Sequence, residues 1–164
     1  MARSNAYWSA NLYRDPKTAP KPAAPIRDLP PHAARRFQML RDGLLGIEGV
    51  TEAVRYVNRE WNWAWEYSVR FRRLGWLHVM EMGVGGTFVL TQEDERRVEG
   101  LARLSGVIRE AIRGGLRTGP VRWCWLEFAD RKAIEAFLGF MRRKAEWIRT
   151  EPEESPVYRR SKAG

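Results

Sequence analysis

Cysteine and histidine are nearly absent from the 164-residue chain, which has one of the first and two of the second. A single thiol, Cys124, excludes an intramolecular disulfide and a thiolate metal cluster. His32 and His78 lie too far apart in sequence to form a helical pair of metal ligands. No apolar run reaches the roughly 18 residues that a membrane-spanning helix needs. Met1-Ala2-Arg3-Ser4-Asn5 lacks the apolar stretch of a secretory signal. Gly83, Gly85 and Gly86 are followed by no Gly-Lys-Ser/Thr, so they read as a hairpin turn and not as a phosphate loop. The expectations are a cytoplasmic protein with no metal, no cofactor and no membrane partner.

Basic charge, in contrast, is plentiful. The net charge is +9, and five lysines leave 24 arginines among the 29 basic residues. Phosphate contacts make such a chain a candidate for nucleic acid. The distribution weakens that reading. Residues 1–30 hold five basic and two acidic groups, residues 31–150 hold 21 and 15, and residues 151–164 balance at three each. Acids are interspersed through the body of the chain, so any nucleic-acid binding is expected to be weak and non-specific.

Residues 1–30 read as a disordered tail, because Asp15-Pro16-Lys17-Thr18-Ala19-Pro20-Lys21-Pro22-Ala23-Ala24-Pro25 is extended and builds no core. Residues 31–150 form one domain, and 151–164 a flexible C-terminal tail. Pro30-Pro31 opens a helix with Phe37, Leu40, Leu44 and Leu45 on one face. Val50, Ala53, Val54 and Val57 suggest a second, short helix. From Trp61 to Arg72 apolar and polar residues alternate, which is the period of a strand with one covered face. Strands at Trp76–Met82 and Thr87–Thr91 complete a β-meander. A helical pattern from Thr91 to Ile112 breaks near Gly100 or Gly106. Pro120–Phe128 is a fourth strand, and 131–149 a closing helix. The fold expected is α+β: two layers, a four-stranded, mainly antiparallel sheet, and helices packed on one face.

Eight tryptophans are many for this length, and six fall in the expected strands. If Phe71 pairs with Trp76, the first-strand aromatics share a face with Trp76 and His78. Such a face is either packing or a pocket, since aromatics fill cores and also stack on flat or cationic ligands. Trp61, Trp65, Tyr67, Trp76, His78 and Trp123 are the candidate ligand residues. The ligand would be an apolar or aromatic small molecule, with cations included because indole faces attract them. The same register sets Glu66 directly opposite Glu81. Two facing carboxylates destabilise a sheet unless Arg70, Arg72 or Arg122 compensates, or unless they act as a catalytic acid–base pair. Cys124 reads as a small buried hydrophobe.

Trp65-Glu66-Tyr67, the Phe88-Val89 strand, and Trp123-Cys124-Trp125-Leu126-Glu127-Phe128 before Asp130 and a Lys/Arg-rich helix form a pattern over about residues 45–148. It resembles a bacterial family, domain of unknown function 3788. The order of elements is also similar to that of the YdhG-like small α+β proteins. The first resemblance implies the fold and brings no activity. Three functions follow as expectations: a small-molecule-binding domain with an aromatic pocket, a hydrolase-like enzyme using Glu66 and Glu81, or a weak nucleic-acid accessory protein.

Overall fold

The computed structural model describes residues 3–152. In chain order its elements are α1 (Asn5–Ser9), α2 (Ala24–Asp28), α3 (Pro31–Leu45), β1 (Val50–Tyr56), β2 (Trp63–Val69), β3 (Arg72–Met80), β4 (Gly83–Thr91), α4 (Gln92–Glu99), α5 (Gly106–Arg113), β5 (Leu116–Thr118), β6 (Val121–Glu127) and α6 (Arg131–Thr150). The fold is α+β, as the patterning implies. The sheet has six strands in the order β1-β2-β3-β4-β6-β5, every pairing antiparallel.

Two strands were not expected: β1 replaces a reading as helix, and β5 falls where no element was read. Residues 50–56 carry apolar groups at helical spacing, yet they pair along β2 from Val50–Val69 to Tyr56–Trp63. At a sheet edge the ladder outweighs a weak helical period. The three residues of β5 are all exposed and too few to show alternation. Elsewhere the local signals hold. Thr91 and Asp94 form a reciprocal capping box that starts α4, and the chain breaks at Gly100 before α5.

One sheet face packs against α3, α5 and α6. Trp65, Tyr67, Leu77, Phe88, Leu90 and Cys124 meet Phe37, Leu40, Ile108, Phe137 and Met141 in one buried cluster. Ring contacts tie the layers, with Phe37–Trp65 at 5.6 Å and Phe128–Phe137 at 5.0 Å between centroids. The glycines of 83–86 belong to β4 and not to a turn. The β3–β4 reversal is Glu81-Met82, flanked by the Met80–Gly83 pair. Glycine is needed inside β4 because the Phe128 ring lies 2.8 Å from where a Cβ of Gly86 would stand, and the Tyr7 hydroxyl occupies that place at Gly85.

The expectation of a free N-terminal tail is overturned across residues 3–30. Trp8 is only 3% exposed. Leu12 N–H donates to Val79 O at 3.0 Å and Glu81 N–H to Ala10 O at 2.7 Å. The Pro/Ala/Lys-rich stretch then continues along the domain, where Trp63 Nε1 donates to Asp15 O at 2.8 Å and Trp65 Nε1 to Pro22 O at 3.0 Å. Buried indole N–H groups need acceptors, and a proline-rich segment without ladder partners offers free carbonyls. The segment therefore straps the domain, with α1 on the face opposite the main helices, so helical cover is not confined to one side. At the other end, Glu151 pairs with Arg72 and, at 3.5 Å, with Arg97. The rest of the expected C-terminal tail, 153–164, lies outside the described residues.

Candidate functional site

The site follows from a register that the turn chemistry of the sequence conceals. The β2–β3 hairpin turns at Arg70-Phe71, both with positive φ (50° and 66°), between the Val69–Arg72 pair. Such two-residue turns normally carry Asn or Gly. Gly75, which falls between the expected strands ending at Arg72 and starting at Trp76, sits inside β3 instead, where a Cβ would come within 2.8 Å of Thr87 O. A bulge between Tyr67 and Ser68 completes the shift, and Glu66 pairs with Trp76, Ala64 with His78. The partner of Trp76 thus moves five residues, from the expected Phe71 to Glu66, and any odd change of register turns a strand's side chains to the other face.

Trp76 and His78 therefore lie on the face away from Trp65 and Tyr67. Trp65 and Tyr67 are fully buried against the helices. The Tyr67 hydroxyl donates to Glu52 Oε2 at 2.7 Å, and Arg41 holds Glu52 from the other side at 2.9 Å. Burial raises the Tyr67 pKa far above the ordinary tyrosine value. Trp61 crosses to the open face because Asn62 is left-handed (φ 57°) and ends the alternation. Asn58 fixes that loop, its Oδ1 accepting from Glu60 N–H at 2.9 Å and Trp61 N–H at 2.7 Å. This is an Asx turn.

On the open face the rings assemble around Trp61. It stacks on Trp8, with centroids 5.6 Å apart, and meets Trp76 edge-on at 5.4 Å. Trp76 stacks on Trp123 at 5.7 Å. Trp61, Trp76, Trp123 and Trp125 wall a cleft of about 450 Å³, with Glu66, Arg55 and Arg73 beside them. Glu66 is 7% exposed and is gripped by Arg55 at 2.8 Å and Arg73 at 2.5 Å. The Trp125 indole N–H is buried and has no acceptor among the described residues.

His78 lies outside this cleft. It is fully buried, with Trp61 at 4.6 Å and Trp8 at 4.9 Å edge-on to its ring, and Nε2 shares a 2.7 Å hydrogen bond with Thr87 Oγ1. Burial, with a smaller push from Arg3, lowers its pKa to about 3, so the imidazole is neutral.

The expected carboxylate pair does not form. Glu66 lies opposite Trp76, five residues before Glu81 in the chain, and Glu81 is exposed in the β3–β4 turn. At about 3.3 Å per residue they are far outside proton-sharing range. Cys124 is buried on the helix face, its pKa pushed up to about 12 by desolvation, which leaves an inert thiol.

Arg55, Arg73 and Trp125 are site residues that the sequence reading passed over. Trp125 had a signal, since it stands two positions from Trp123 in a strand. Arg55 had none, lying in a stretch with a helical period. Among the described residues no group of three or more His, Cys, Asp or Glu could hold a metal ion, and no helix is long and apolar enough to cross a membrane. No family model, curated protein or solved structure significantly matches the chain, so neither family resemblance has support beyond the residues that suggested it.

Proposed function

We propose that this protein is a small-molecule-binding domain whose site is the tryptophan cleft on the open sheet face. The observation that carries the reading is the wall of Trp61, Trp76 and Trp123 around about 450 Å³, a volume on the scale of ligand sites. The three rings also touch one another, Trp61 meeting Trp76 at 5.4 Å and Trp76 stacking on Trp123 at 5.7 Å. What sets them apart from core rings is that their remaining surface borders open space, which fits a flat apolar body lying against it. Two guanidinium groups against one carboxylate make the surroundings of the slot net positive, which favours a neutral or anionic ligand over a cation.

The geometry suits holding a molecule more than transforming it, since among the described residues the cleft is bordered by the Tyr56 and Thr118 hydroxyls and by a Glu66 carboxylate already tied to two arginines. Nucleic acid remains at most a weak partner in this reading. Arg3 is engaged by Glu127 at 2.8 Å and Arg27 by Asp28 at 2.8 Å, which removes two of the five N-terminal basic groups. The test is titration of the full chain with a panel of flat aromatic compounds, following tryptophan fluorescence. Saturable quenching that disappears in Trp123→Ala, with circular dichroism unchanged, supports the site. Equal quenching in Trp123→Ala removes it.

A further inference from the structure

A second cleft, of about 400 Å³, shares Arg73, Trp76 and Trp123 with the first. Lys144 of α6 is among its lining residues. The last β3–β4 pair is Gly75–Phe88, and just beyond it β3 stays with β2 while β4 stays with β6. Lys144 reaches into this fork. Its Nζ donates to Leu74 O at 3.3 Å and Val89 O at 2.6 Å, and the residue is 3% exposed.

An ammonium has three donors, and the two carbonyls use two. No carboxylate of the described residues lies within 4.0 Å of Nζ. The acids nearby are engaged elsewhere: Asp94 accepts from Thr91 N–H at 3.1 Å and faces Arg97 at 3.7 Å, and Glu151 pairs with Arg72 and Arg97. A buried charge without a counter-ion is costly. Here that charge borders a cleft walled by Trp76, Trp123, Val121 and Ile148, whose lining also holds Asp94 and, opposing it, Arg72 and Arg73.

We propose that Lys144 anchors the carboxylate of a flat aromatic ligand whose body lies along Trp76 and Trp123. This rests on the aromatic-cleft reading and adds the ligand's charge and direction. Desolvation lowers the Lys144 pKa to about 8, with Asp94 and Cys124 opposing and Arg72 reinforcing that shift; Arg73 also lines the cleft. The carboxylate is therefore held firmly at neutral pH and released as Lys144 loses its proton, whereas the arginines stay charged.

The test is calorimetric titration of the full chain with 2-naphthoate and with its neutral counterpart 2-naphthamide. At about pH 7 the acid should bind about tenfold more tightly or better, the scale of one charge-assisted hydrogen bond. That preference should fade toward about pH 10 and be absent in Lys144→Met. Equal binding of acid and amide overturns the role of Lys144 and leaves the aromatic cleft standing. Binding of neither overturns both. A preference that survives in Lys144→Met assigns the anion to Arg72 or Arg73 and overturns the proposal. Should Lys144→Met fail to fold, the wild-type pH series decides alone: a preference unchanged at about pH 10 excludes Lys144.

Discussion

The indole of Trp8 lies flat against that of Trp61, centroids 5.6 Å apart and planes 21° from parallel. One ring belongs to the N-terminal strap and the other to the loop that shapes the cleft, so the strap backs a wall of the cleft through Trp61 and is not an appendage. Trp8→Ala should cost about 3–5 kcal/mol in urea unfolding, as for other buried tryptophans. Removal of residues 1–25 should lower the melting temperature by many degrees. An unchanged melting temperature in the truncated protein overturns the packing described for the strap.

Trp65 and Trp123 should behave differently although both are strand tryptophans. Trp65 is fully enclosed by the helix layer, while Trp123 is half-buried on the open face. Trp65→Ala should lose about 3–5 kcal/mol of stability, and Trp123→Ala well under half of that. Comparable losses would mean that the open-face rings are ordinary core.

Glu66 and Glu81 should act independently. Glu66→Gln weakens two ion pairs with exposed arginines and should cost about 1 kcal/mol, whereas Glu81→Gln should be close to neutral. Their effects on unfolding free energy should add within about 0.5 kcal/mol. A larger coupling energy would bring the two carboxylates into contact, against the register.

His78 sets a pH dependence. Its folded-state pKa of about 3 lies below the ordinary 6.5, so the unfolded chain binds this proton more readily. Stability is full above about pH 6.5 and falls as pH drops toward 3, by about 1.4 kcal/mol per unit. Between about pH 6.5 and 5, before most carboxylates titrate, the slope should vanish in His78→Gln. A slope identical in both proteins assigns the effect to another group.

The Arg70-Phe71 turn stores strain. Phe71 is 78% exposed with φ 66°, so its side chain contributes little packing and occupies a region that favours glycine. Phe71→Gly should stabilise by about 0.5–1 kcal/mol in equilibrium unfolding. Destabilisation would show that the exposed ring has a contact that matters.

The elements legible in the sequence are those whose signal is local. The β2 alternation, the helical pattern that opens at Thr91, its break before α5, and the closing helix α6 all reflect residues within a few positions of one another. What was hidden depends on distance. β1 is a strand because β2 lies beside it, while its own spacing mimics a helix. The face of Trp76 hinges on two left-handed residues that are neither Gly nor Asn, so ordinary turn rules moved the hairpin to Gly75. The strap is held by Trp63 and Trp65 donating to carbonyls 48 and 43 residues away, a match that composition alone does not reveal. The cleft was therefore half visible: its tryptophans could be named, but not which of them face it.

Arg3 donates to Leu126 O across a sequence separation of 123 residues, and this bears on how the chain is made. The strap leaves the ribosome before β3, β4 and β6 exist, with its aromatic side chains lacking their docking surface. The contacts of Arg3 with Leu126 and Glu127 are the most distant in sequence among the described residues, so their closure entropy is met only after β6 has joined the sheet. The segment synthesised early is thus among the last to find its place, and in the interval the tryptophan face stands open.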